Sequence, residues 1–380
     1  MKSRTLRRNL IRHNHARLLL IALFLTLASS ALASTWYVNG VSGSDRDNCK
    51  SSSTACKTIG HVISLASSGD SIRVAAATYA EHLTVPVSLK IIGANARTTI
   101  IDAQSSGTIG ILITGLRVTL ASLTIRGGSG GGVSNAGTLT ITNCTISGNR
   151  GRLGGGVYNA GTLSIFDTTI SGNSAIFGGG IANGGTLELV NSTIEGNVAA
   201  GFFLSGGHFH PPRGGGIDNF GTSTSTISNT TIANNAAIFV PPVGPCRFFG
   251  PCYESGMDIA GPITIENSIV ANGVYRDGLN CNGVVNSKGY NLGSDSTCNF
   301  NKSGDRNNID PKLGPLQYNG GPTQTMALLS GSPAIDAGNP SGCADGQGQL
   351  LKTDQRGMPR PDKEDSGGCD MGAYESQTDN

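Results

Sequence analysis

GGGVSNAGTLTITNCTISGN from Gly130, GGGVYNAGTLSIFDTTISGN from Gly154 and GGGIANGGTLELVNSTIEGN from Gly178 are three copies of one unit, each starting 24 residues after the last. A fixed period of this length is the mark of a solenoid. A fourth copy, GGGIDNFGTSTSTISNTTIANN, follows an insertion from Gly214, and a fifth, degenerate one runs from Asp258 to Val270. Within the first copy Leu139 and Ile141 alternate with Thr138, Thr140 and Thr142. Period two is the pattern of a strand with one buried face, and the glycine content and the period exclude helices. A unit this short cannot bury its apolar face alone. It must stack on its neighbours, with equivalent strands parallel and about 4.8 Å apart.

Stacking makes columns. Leu139, Leu163 and Leu187 form one inward column, and Ile146, Ile170, Ile194 and Ile232 another. Asn143, Asn191, Asn229 and Asn267, with Asp167 substituting, form a polar column, and Asn149, Asn173, Asn197 and Asn235 a second. Stacked amides bond from coil to coil and satisfy turn backbone groups that a leucine could not. The glycine triplets mark corners needing positive φ or close backbone approach. Segments 109–113 and 118–125 look like further coils. Residues 58–70, with Ile59, Val62, Ile63 and Ala66 on one face, read as a short helix that lids one end, where unpaired edge groups would otherwise invite aggregation.

Outward from the repeats, the first 17 residues hold six bases and no acid. The apolar run 18–27 and Ala31-Leu32-Ala33 complete the pattern of a secretory signal peptide. A spanning helix needs about 20 apolar residues, so no membrane span is expected in the mature chain. Cleavage turns 27 basic against 25 acidic residues into 21 against 25, net −4. Such a surface lacks the clustered cations of a nucleic-acid binder. Nine cysteines suit an oxidising compartment, and proximity suggests the couples Cys49 with Cys56, Cys246 with Cys252, Cys281 with Cys298 and Cys343 with Cys369. Their spacings lack the paired CxxC of a zinc site. Cys144 shares a column with Thr168, Ser192, Thr230 and Ser268, so a packed, inert thiol is expected.

Gly69-Asp70-Ser71-Ile72-Arg73-Val74 followed by Thr78-Tyr79-Ala80-Glu81 resembles the opening of pectin-lyase-like β-helix proteins. The GGG[VI] and SGN repeats are similar to those of polymorphic outer-membrane proteins. Towards the C-terminus, Asp310-Pro311-Lys312-Leu313-Gly314-Pro315-Leu316, Asn319-Gly320-Gly321-Pro322-Thr323, Gly331-Ser332-Pro333-Ala334-Ile335-Asp336-Ala337-Gly338, Asp354-Gln355-Arg356-Gly357 and Asp370-Met371-Gly372-Ala373-Tyr374-Glu375 resemble the choice-of-anchor Q domain. These resemblances imply a β-helix and export, and they imply no particular reaction. The expected fold is therefore all-β, a right-handed single-stranded parallel β-helix with a helical N-terminal cap and a loop-rich C-terminal cap. The expected segments are a signal peptide over 1–33, the N-terminal cap over 34–70, 24-residue coils over 71–300 and the C-terminal cap over 301–380.

Fold alone does not decide chemistry. Glycosidases need two carboxyl groups roughly 5–9 Å apart, and the Asn-Thr-Asp, Asp-Asp, Gly-His-Gly and Arg-Ile-Lys motifs of polygalacturonases are absent. Residues 130–198 offer only Asp167, Glu188 and Glu195 as acids. Counting back from the glycine of each Gly-Thr or Gly-Pro step places Asp218 and Asp258 at equivalent positions of successive coils, opposed like charges that a cation would relieve. The insertions 199–213, with His208, His210 and Arg213, and 236–256 flank that pair, and long insertions leaving a solenoid form its functional face. These five residues are the candidate ligand or metal set, and Ca²⁺ is the ion their carboxylates would take. The C-terminal acids Asp310, Asp336, Asp354, Asp370 and Glu375 are expected to hold the loops of a cap through hydrogen bonds, with calcium binding as the alternative. The expected protein is a secreted or surface-exposed monomer that contacts polysaccharide or a cell envelope without catalysis. A divergent polysaccharide lyase or glycoside hydrolase is the alternative.

Overall fold

The computed structural model describes residues 33–104, 110–115, 117–203, 209–210, 212–239, 257–273, 279–362 and 368–378. The expected signal peptide and the Cys246–Cys252 couple lie outside them. Strands wind as a right-handed parallel β-helix whose walls are a ten-stranded, a nine-stranded and an eight-stranded sheet. The 24-residue offset is the register itself. Leu139 pairs with Leu163 and Leu163 with Leu187, and Ile146, Ile170, Ile194 and Ile232 follow one another in the nine-stranded sheet. All of these side chains are buried in one continuous core. No helix among the described residues is long and apolar enough to cross a membrane.

The corners show why the sequence repeats where it does. Asn143, Asp167, Asn191, Asn229 and Asn267 all adopt φ near +50°, a conformation that Asn and Asp tolerate better than other side-chain-bearing residues. Gly154 sits at φ +61°, and a Cβ on Gly155 would lie 2.4 Å from the Gly179 carbonyl oxygen. Asparagine ladders run inside the turns. Asn149 Nδ2 donates to Asn173 Oδ1 at 3.0 Å, Asn173 to Asn197 at 2.9 Å and Asn197 to Asn235 at 2.9 Å. A further ladder, from Asn135 through Asn159 and Asn183 to Asn219, repeats the device at another corner.

The first coil begins earlier than expected, because Thr35–Val38 already pairs with Ser71–Val74 in the ten-stranded sheet. The lid helix spans Ile59–Leu65 and buries Ile59, Val62 and Ile63. Thr58 caps its N-terminus, where Glu81 also accepts the Ile59 and Gly60 amides. It stops short of Asp70 because that carboxylate instead accepts from the Ser67 amide and from Trp36 Nε1. Disulfides join Cys49 to Cys56, Cys281 to Cys298 and Cys343 to Cys369. Cys144 is a free, buried thiol whose pKa burial pushes up to about 12, so it is protonated and unreactive at neutral pH.

The C-terminal segment runs back along the flank of the β-helix. Cys298 and Phe300 pack in the core with Cys281. Beyond them the chain doubles back along the flank, forming the antiparallel hairpin of Leu313–Gln317 and Thr325–Leu328. It reaches as far back as Arg97, whose guanidinium lies 4.2 Å from the Tyr318 ring centroid. The polar turn column is its fastening. Asn191 Nδ2 donates to the Thr353 carbonyl, Asn229 Nδ2 to Ala344, and Asn267 Oδ1 accepts the Asn339 amide. Beneath this strap lie ionised groups removed from water. Arg360 bonds Glu375 Oε2 at 2.6 Å, Asn191 Oδ1 at 2.9 Å and the Gly372 carbonyl at 2.8 Å. Arg356 pairs with Asp354 at 2.7 Å and stacks on Tyr374. Asp354, Asp370 and Glu375 thus hold loops, as the sequence suggested, and the donors they meet explain why charges are tolerated there.

Candidate functional site

The turn that leads from the nine-stranded into the eight-stranded sheet is short over 148–156 and 172–180, long over 196–216 and 234–256, and short again over 272–278. Ser174–Ala175, Val198–Phe203 and Ala236–Phe239 pair in parallel as a small side sheet, and Phe209–His210 returns antiparallel to Val198–Phe203. Ala199 and Ala237 of this side sheet pack on Ala260 of the eight-stranded sheet. The described strands of these turns therefore form a wall beside the outer face of that sheet, and small residues let it approach closely. Outward positions on the face run from Ser134 to Tyr158, Ala182 and Asp218.

Arg213 stacks by its backbone on Phe177, which stacks on Leu153. Its half-exposed guanidinium lies 3.3 Å from Asp218 Oδ1 and 3.4 Å from the Asn219 carbonyl oxygen. Asp218 itself is 2% exposed, and among the described residues its Oδ1 has no hydrogen bond beyond the Arg213 ion pair. Burial pushes its pKa up to about 6, against the opposing pull of Arg213. His208 lies outside the described residues, as does the side chain of His210, whose backbone pairs with Phe202.

Asp258 is not the partner of Asp218. The residue beside Asp218 on the next coil is Ala260, and the Asp258 carbonyl instead accepts the Gly216 amide. The glycine used for counting misleads because the corner between the eight-stranded and ten-stranded sheets changes length. Five residues separate Asp218 from Thr224 in the fourth copy, and a single glycine separates Ala260 from Pro262 in the fifth. Asp258 ends the asparagine ladder instead, where its Oδ1 accepts both the Asn235 amide, at 3.0 Å, and Asn235 Nδ2, at 2.8 Å. Among the described residues its Oδ2 is buried without a partner, and burial first, with the charge of Asp295 adding, raises its pKa well above the ordinary value.

These surroundings do not fit a shared Ca²⁺, which takes six to eight oxygens. Asp218 is faced by a guanidinium and Asp258 is engaged by the ladder. Among the described residues the only convergence of three possible metal ligands is Cys49, Cys56 and His61, and both of those thiols are spent in a disulfide.

What the sequence did not single out is a cavity of about 200 Å³ lined by Gly130, Val133, Ser134, Arg152, Leu153, Gly154 and Tyr158. It lies on the same outer face as Asp218, two coils earlier along the column. Tyr158 was visible as an outward position in the register. Arg152 lies in the turn 150–156, which has no strand pattern to show where its side chain goes.

No family model matches the chain, and no curated protein matches it. The choice-of-anchor Q and outer-membrane-repeat likenesses therefore remain resemblances of motif. Among solved structures the chain is similar to pectate lyase Pel9A, at 15% identity over 90% of this chain and 96% of that one, with a TM-score of 0.50. It also matches pectin methylesterases from Aspergillus niger, at 12% identity over 68% of this chain and 85% of that one (TM-score 0.38), and from carrot, at 13% over the same shares (0.37). At these identities the likeness to Pel9A shows the fold, a pectate-lyase-like parallel β-helix.

Proposed function

We propose that this is an exported extracellular protein that binds a polysaccharide across the outer face of the eight-stranded sheet, at the foot of the side wall, without turning it over. The observation that carries this reading is the cavity joining Tyr158 to Arg152. An aromatic face holds the apolar side of a sugar ring, and a guanidinium forks onto an acidic substituent or hydroxyl oxygens. Arg213, half-exposed on the wall, adds a second guanidinium to the same face. Three disulfides agree with an oxidising, extracellular setting.

A divergent lyase or hydrolase is the second reading, and Asp218 is the observation that favours it. A buried carboxyl group with a pKa near 6 suits proton transfer close to neutral pH. Against it, Arg213 occupies the open side of that carboxylate, and the next coil places Ala260 beside it rather than a second acid. The name of Pel9A says that it cleaves pectate, and a likeness of fold does not carry that reaction over.

Affinity electrophoresis of the secreted protein in gels containing different polysaccharides, run beside an assay for released ends, tests both. We expect retardation without product, and a loss of about tenfold in affinity for Tyr158→Ala with Arg152→Ala. Product release that Asp218→Asn abolishes would overturn the binding-only reading and establish the catalytic one.

A further inference from the structure

The outer face of the ten-stranded sheet carries a separate array that the eight-stranded face does not explain. Its outward positions in the six coils before Glu188 include Arg73, Lys90 and Arg117 and no acid. All three cations are exposed, and none forms an ion pair with a described residue. Register sets their geometry. Lys90 lies beside Ser71, two residues before Arg73, and beside Thr119, two residues after Arg117. The three therefore fall on one diagonal, with successive backbone positions about 8 Å apart. At one end of the diagonal, next to Arg73, a cavity of about 260 Å³ is lined by Tyr37, Asn39, Ser52 and Ile92 among others. At the other end the hydroxyls of Thr119 and Thr140 follow in the column of Lys90.

We propose that this face is a second binding surface, for a carboxylate-bearing polysaccharide lying along the diagonal. Unneutralised like charges on one flat face raise its potential and draw an anionic partner. A regular row of charges fits a polymer with a regular row of carboxylates better than a compact anion. The neighbouring hydroxyls and the Tyr37 ring supply what sugar hydroxyls and ring faces need. The fork of each arginine is matched to a planar carboxylate, with Lys90 as a point charge between them. This surface lies on a different sheet from the Tyr158 cavity and stands whether or not that cavity binds anything.

The test uses the full secreted chain with polygalacturonate as probe, and dextran and inorganic polyphosphate as comparison polymers. Wild type is expected to bind polygalacturonate with an affinity that falls steeply as salt rises. Arg73→Gln, Lys90→Gln and Arg117→Gln combined should weaken binding about tenfold and flatten the salt dependence, with the melting temperature unchanged. A triple variant that binds like wild type overturns the proposal. So does equal wild-type affinity for dextran or for polyphosphate. Tyr158→Ala with Arg152→Ala separates the two surfaces. Loss there alone removes this face, and loss in the triple variant alone removes the earlier one.

Discussion

The regular coils, residues 130–198, and the strap, residues 310–362 and 368–378, are held by opposite means. In the coils each side chain meets its own equivalent from the next repeat, leucine on leucine and asparagine on asparagine. Among the described residues of the strap no contact repeats, one two-stranded hairpin forms, and single asparagine bonds and buried ion pairs do the fastening. Repetition distributes stability over many interchangeable contacts, whereas a unique segment concentrates it in a few. Loss of one contact should therefore be local in the coils and decisive in the strap.

Removing Arg360 should have the largest effect. Arg360→Ala leaves Glu375 buried and without its main partner, a change that costs roughly 3–5 kcal/mol. Limited proteolysis should then cut within 310–378 while the coils stay resistant; equal resistance of both regions would show that the strap does not depend on this pair. Leu163→Ala comes next, at roughly 2–5 kcal/mol for a buried leucine truncation. Chemical denaturation is expected to show the loss, with hydrogen exchange accelerated in the neighbouring coils and not in the strap.

A smaller effect separates the regions by pH. Burial raises Asp370 to about 7, with the Glu375 charge adding, and raises Asp167, at the strap contact, to about 6. Folded values above the ordinary 3.8 mean that the folded state holds these protons more tightly than the unfolded one. Their contribution is therefore full below about pH 4 and is lost as pH rises through 6 and 7. Protease sensitivity of the strap should grow between pH 5 and 8 while the coils stay flat, and a strap equally resistant across that range would refute the linkage. Asp258→Asn should give the smallest shift, in the opposite direction. An amide continues the asparagine ladder without a buried charge, so the melting temperature should rise at pH 8 and change little at pH 4. A fall at pH 8 would mean that the ionised carboxylate is itself stabilising.

The candidate site was half legible. Arg213 and Asp218 were found because insertions interrupt a period that is otherwise kept, and the structure does bring them together at 3.3 Å. Asp258 was misplaced by a corner two residues shorter than the regular ones, and a parallel pairing shifted by two residues keeps the same side-chain face, so alternation alone could not expose the error. The Tyr158 cavity was not legible because Arg152 belongs to a turn, where no period constrains direction.

By itself the sequence determined the parallel stack, its register from Val133 to Ile194, the buried columns, one asparagine ladder and the polar turn column, and proximity suggested three of the disulfides. Each of these joins residues at a constant offset or close along the chain, so the pattern that specifies the contact is also the pattern that reveals it. Only the tertiary structure decided that residues 310–362 and 368–378 lie along the flank, that Asn191, Asn229 and Asn267 hold that strap, and that Arg73, Lys90 and Arg117 share a diagonal without an ion pair among the described residues. Asn191 meets Arg360 across 169 residues, and nothing periodic connects them. Such contacts are chosen by burial and by which donor is left to meet which charge, and those choices exist only once the solenoid has formed a surface.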